Sequence, residues 1–136
     1  MLDTNVIVAA RRSRAGASHA LLRALDDGAF VMMVSVPLFL EYEAVLMRPE
    51  MLQALRLTEI EIAGFLDYLA ALVEPVHLNY LWRPQLADVG DEMVLETAIN
   101  GRADALVTFN ARHFGAAGYF GMEIVSPRDA LRKVLS

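Results

Sequence analysis

Val31-Met32-Met33-Val34-Ser35-Val36-Pro37-Leu38-Phe39-Leu40-Glu41-Tyr42-Glu43-Ala44-Val45-Leu46-Met47-Arg48 changes period halfway along. Val31 to Ser35 is a short apolar run of strand length. Beyond it Leu38, Phe39, Tyr42, Val45 and Leu46 recur at helical spacing, which predicts a helix over Val36 to Arg48. A strand passing directly into a helix is the repeating unit of a parallel α/β sheet. Working outward, the same alternation predicts strands at Leu2 to Val8, Pro75 to Leu78, Ala105 to Thr108 and Glu123 to Val125. Helices are predicted at Ser18 to Asp27, Thr58 to Val73, Asp91 to Asn100 and Pro127 to Leu135. Thr58 and Glu61 form a capping-box pair, and Ser126, Pro127 and Asp129 mark the last helix start. Asn79 to Gly90 reads as a loop.

The 136 residues are 56% hydrophobic and contain no cysteine. This suits one domain over 1–136 with its own core, and excludes disulfides, thiolate-held zinc and thiol nucleophiles. Met1 to Ala10 is apolar but carries Asp3 and Asn5, has no basic leader and is far short of the roughly 20 apolar residues that span a bilayer. Neither a signal peptide nor a membrane span is expected, and a cytoplasmic location is. The formal charge of -5 opposes binding of a polyanion. That opposition weakens where acids cluster around divalent cations, because the bound ions reverse the local field.

In an open parallel sheet, sites gather at the carboxyl ends of strands, and several acids fall there. Asp3 lies inside an apolar run, where a carboxylate needs a partner: a turn that caps backbone groups, or a ligand. Glu41 and Glu43 fall at opposite margins of one apolar helix face, and the helical wheel does not choose between them. Asp91 points inward at a helix start; it and Glu92 suit a helix-dipole role as well as a metal-binding one. Asp88, Asp104 and the segment Thr108-Phe109-Asn110-Ala111-Arg112-His113-Phe114 add polar groups near the end of the fourth strand. Arg11, Arg12 and Arg14 form a short basic cluster suited to a phosphate backbone.

Five segments in order resemble the PIN-domain family: Leu2-Asp3-Thr4-Asn5-Val6, Ser35 to Tyr42, Asp88 to Glu96, Ala103 to Asn110, and Ile124-Val125-Ser126-Pro127. Within the family they look most like the toxins of bacterial toxin-antitoxin pairs, relatives of the VapC toxins. The resemblance implies a three-layer α/β/α sandwich with a central parallel sheet of four to five strands. It also implies an endoribonuclease hydrolysing RNA phosphodiesters by metal-activated water, with Mg2+ or Mn2+ as cofactor. Asp3, Glu41 and Asp91 are then the metal ligands and catalytic acids, which decides for Glu41 over Glu43. Asn5, Thr108, Asn110, Glu92 and His113 become supporting residues, with Arg11, Arg12 and Arg14 touching RNA. The implied partners are an RNA substrate, a cognate antitoxin protein and a second copy of the chain in a homodimer.

The chain departs from the family where many PIN nucleases carry an acid after the fourth strand; it has Asn110 there, and His113 nearby. A neutral amide lowers the charge of a cation site. A catalytically silent PIN fold that binds RNA or protein is therefore the rival reading. A phosphatase with an aspartate nucleophile is disfavoured, since its second aspartate, two positions on, is replaced here by Asn5.

Overall fold

Asp3 ends the first extended segment and starts a helix. Its backbone is extended, at φ -65° and ψ 152°, and its side chain accepts from the Thr4 N–H, so it is the N-cap of α1 (Thr4–Arg12). Only the residues before it pair as a strand. Leu2 bridges Val107 in parallel, the Val107 N–H donating to Met1 O and the Asp3 N–H to Val107 O, each at 2.9 Å.

The strand expected over Leu2 to Val8 is thus corrected: from Thr4 onward it is helix. Val6, Ile7 and Ala10 are its buried residues, at helical spacing. The three β-branched residues Val6, Ile7 and Val8 favour a strand on propensity, but the Asp3 cap and burial of one helix face override it.

The computed structural model describes residues 1–78, 89–114 and 121–136, without the side chains of 89–92. After α1 come α2 (Ala17–Asp26), β1 (Met33–Val34), α3 (Val36–Leu46), α4 (Pro49–Leu55), α5 (Glu59–Leu72), β2 (Glu74–Pro75), α6 (Val89–Gly101), β3 (Ala105–Val107), β4 (Glu123–Val125) and α7 (Pro127–Leu135). The fold is α/β with short parallel strands. Among the described residues the ladders are two parallel pairs, β1 with β2 and β3 with β4, and Leu2 flanks β3 on its other side.

Local signals explain most boundaries. Thr58 and Glu61 form the full capping box of α5. The Ser126 hydroxyl accepts from the Asp129 N–H, with Pro127 in the first turn of α7. Other ranges are corrected too: the strand expected over Val31 to Ser35 is Met33–Val34, and the one expected over Ala105 to Thr108 is Ala105–Val107. The helix expected to run to Arg48 ends at Leu46, because Pro49 cannot continue it and instead starts α4. The strand expected at Pro75 to Leu78 is Glu74–Pro75, set by the Glu74 and Val76 N–H groups donating to Met32 O and Val34 O at 2.8 Å. Val89 and Gly90, expected in a loop, open α6; residues 79–88 of that loop lie outside the described residues.

The core runs through the middle of this arrangement. Leu2, Ile7, Leu21, Met32, Leu38, Tyr42, Leu46, Ile62, Leu69, Leu95, Leu106 and Phe114 are fully buried. α1 packs on α2 and α3, α2 on α7, and α3 and β1 on α6. Two buried hydroxyls tie α3 to α6: Ser35 Oγ and Thr97 Oγ1 lie 2.6 Å apart, with Ser35 also capping Leu38 N–H and Thr97 donating to Met93 O. At the end of α6, a Cβ added to Gly101 would stand 2.9 Å from Met33 Sδ and Val76 Cγ2. Glycine there lets α6 approach the β1–β2 ladder closely.

Candidate active site

Both oxygens of the Asp3 carboxylate accept hydrogen bonds, one at the start of α1 and one just past the end of β3. Its Oδ1 accepts from Thr4 N–H at 2.8 Å and its Oδ2 from Thr108 Oγ1 at 2.6 Å. The Thr108 oxygen accepts in turn from Asn110 N–H at 3.0 Å, and the Thr108 N–H donates to Val125 O at 3.0 Å. The preceding peptide is fixed as well, because the buried Tyr42 hydroxyl donates to Leu2 O. Asp3 is buried, at 6% exposure. A buried carboxylate is tolerated only when hydrogen-bonded, and here α1, α3, β3 and β4 all contribute to holding it.

α3 therefore has two duties on neighbouring residues. Tyr42 faces the core and braces the peptide before Asp3, while Glu41, half-buried, lines a cleft of about 610 Å³ together with Asp3. Glu43 is exposed and lines no part of it, so the two residues that a helical wheel does not separate have different surroundings. Burial, and secondarily the Asp3 charge, push the Tyr42 pKa well above the usual tyrosine value. The hydroxyl consequently remains a neutral donor.

Among the described residues, the cleft is also lined by Thr4, Asn5, Val8, Ala9, Arg12, Val45, Arg48, Met51, Phe109 and Asn110. Asn5 Oδ1 is buried and, among the described residues, has no hydrogen-bond partner. Asn5 and Asn110 line the cleft with the Asp3 and Glu41 carboxylates, and oxygen donors of these kinds are the ones that could hold a hard divalent cation. Asp91 belongs to α6, third from its start, but its side chain and that of Glu92 lie outside the described residues, as does Asp88 altogether. Among the described residues no three His, Asp or Glu side chains gather as a metal cluster.

Other expected site residues are placed elsewhere. Arg11 stacks on Phe65, its guanidinium carbon 4.6 Å from the ring centroid, so it serves packing between α1 and α5 rather than the cleft. Arg14 is exposed outside the cleft, leaving Arg12 as the member of that basic cluster which lines it. His113, in a short turn whose N–H donates to Asn110 O at 2.9 Å, does not line the cleft. Asp104 precedes β3 and borders a second cavity of about 510 Å³ that also contains Met1 and Lys133. It thus sits at the opposite end of β3 from Thr108.

Arg48 and Phe109 line the cleft without being singled out by the sequence pattern. The junction Arg48-Pro49 is the signal for the first, and an aromatic directly after Thr108 for the second.

The sequence pattern of the PIN domain matches residues 1–112. The chain belongs to the PIN-domain family. The matched region contains Asp3, Glu41, Thr108 and Asn110, while β4 and α7 lie beyond it. A comparison with curated proteins returns no match. PIN domains have a nuclease-type fold and are generally divalent-metal-dependent nucleases that bind RNA. No described helix of this PIN domain is long and apolar enough to cross a membrane.

Proposed function

We propose that this PIN domain is an endoribonuclease that uses Mg2+ or Mn2+ to hydrolyse RNA phosphodiesters, with Asp3, Glu41 and Asp91 as the metal ligands. The observation that carries the reading is the pairing of a braced, buried Asp3 with Glu41 in one cleft, which Asn5 also lines. Asp91 enters as third ligand through its position in the family motif.

A divalent ion held there supplies Lewis acidity, lowering the pKa of water and offsetting charge on the phosphoryl oxygens. The chain's own groups do the positioning. Thr108 and the Thr4 N–H fix the direction of the Asp3 carboxylate, and the Asn110 N–H orients the Thr108 oxygen. Glu41, less buried than Asp3, is the carboxylate we assign to accept a proton from the attacking water. Asn110 contributes a neutral oxygen where an acid would add charge.

The biological role that fits is the toxin of a bacterial toxin-antitoxin pair, acting in the cytoplasm and silenced by a small antitoxin protein. Val36 and Leu40, one turn apart on α3 and 71% and 55% exposed, offer an apolar face for a homodimer.

Titration of the purified protein with Mn2+ in the presence of single-stranded RNA tests the reading. Metal binding accompanied by RNA turnover supports it. Metal and RNA binding without turnover supports the silent-fold alternative, which the neutral Asn110 favours.

A further inference from the structure

Phe109 is 55% exposed yet lines the cleft. A phenyl ring left in water forgoes part of the favourable free energy of burial. Its backbone is nonetheless well anchored. The Thr108 N–H is bonded to Val125 O and the Asn110 N–H to Thr108 Oγ1, each at 3.0 Å. The ring is thus presented on a fixed platform, one residue from the hydroxyl that holds Asp3.

Two arginines share the cleft with it. Arg48 is the N-cap residue of α4, wedged between the end of α3 and Pro49, and its carbonyl accepts from the Met51 and Leu52 N–H groups at 2.9 Å. Arg12 ends α1. Both side chains are exposed, whereas Arg11 is committed to Phe65. In a chain of net charge -5, two exposed guanidinium groups lining the same cleft as two carboxylates are suited to neighbouring phosphates of a ligand.

We propose that the cleft accepts an unpaired stretch of RNA, one base stacking on Phe109 and the adjoining phosphates gripped by Arg12 and Arg48. The choice of RNA rests on the ribonuclease reading above; the stacking mode does not depend on turnover. Unstacked bases have a free π-face for an aromatic side chain, while bases in a duplex are already stacked on both faces. The recognition is tolerant of sequence, since every base offers such a face.

The test is anisotropy of a fluorescently labelled single-stranded RNA, and of the matching duplex, titrated with the protein in Ca2+, an ion that takes oxygen ligands with looser geometry than Mg2+. The wild type binds the single strand at least about tenfold more tightly than the duplex. Phe109→Ala weakens single-strand binding by about 5- to 150-fold, the equivalent of one lost base stack, and Phe109→Trp retains it. Arg48→Ala weakens binding and lowers the salt slope by about one. Equal affinity for the two RNAs, or a Phe109→Ala affinity within twofold of wild type, overturns the proposal. A protein that binds through Phe109 but does not cleave in Mn2+ keeps this inference and loses the enzyme; cleavage indifferent to Phe109→Ala does the reverse.

Discussion

Thr108 Oγ1 donates to Asp3 Oδ2 at 2.6 Å across 105 positions of sequence. One contact therefore joins the start of α1 to the end of β3 and aims the carboxylate at the cleft. The same hydroxyl oxygen accepts from Asn110 N–H, so its loss would remove one hydrogen bond from the charged carboxylate and one from a backbone donor together.

Thr108→Val should accordingly cost about 1.5–3 kcal/mol of stability, the range for a hydrogen bond to a charged group. It should also weaken Mn2+ affinity by about 10- to 100-fold, as expected when a group orienting a metal ligand is removed. Thr108→Ser should restore both. Denaturant unfolding and calorimetric metal titration of the two variants check this.

Tyr42→Phe leaves the core shape intact but removes the donor to Leu2 O. The expected loss is about 1–3 kcal/mol, measured by denaturant unfolding, because a buried carbonyl is left without this partner. Cleavage should fall as well, since the peptide carrying Asp3 loses its brace.

The raised pKa of Tyr42 fixes a pH dependence. The folded state holds the phenol protonated above the unfolded value, near 10. Its contribution to stability is therefore full below about pH 10 and declines as pH rises further and the unfolded tyrosine ionises. Unfolding free energies measured from pH 8 to 11 should fall at the alkaline end for wild type. Tyr42→Phe should show a shallower fall.

Gly101→Ala should destabilise by about 1–3 kcal/mol through overpacking against Met33 and Val76. Gly64, whose added Cβ would meet nothing within 4 Å, should gain up to about 1 kcal/mol as Gly64→Ala within α5. Thermal unfolding of the two variants compares a crowded helical glycine with an open one.

Features written in neighbouring residues are legible in the sequence alone: the capping box of Thr58 and Glu61, the Ser126-Pro127 start of α7, the strand Glu123–Val125, and the strand expected at Ala105 to Thr108, which ends one residue earlier, at Val107. At Leu2 to Val8 the β-branched residues mislead, because the Asp3 cap outweighs them. Which of Glu41 and Glu43 faces the cleft depends on where α1 packs, and a helical wheel contains no neighbour. Arg11 and Arg12 are adjacent in sequence, yet one lies on Phe65 and the other in the cleft; only tertiary packing separates them. Arg48 reaches the cleft because Pro49 ends one helix and begins another, a turn the helical period of α3 conceals.

The most direct measurement is the rate of single-stranded RNA cleavage in Mn2+ by wild type, Asp3→Asn and Glu41→Gln, each shown by circular dichroism to be folded. The account predicts turnover by the wild type and a drop of at least about 100-fold in each variant, since losing a metal ligand removes several kcal/mol of transition-state stabilisation. Folded Asp3→Asn or Glu41→Gln protein cleaving at the wild-type rate would contradict it.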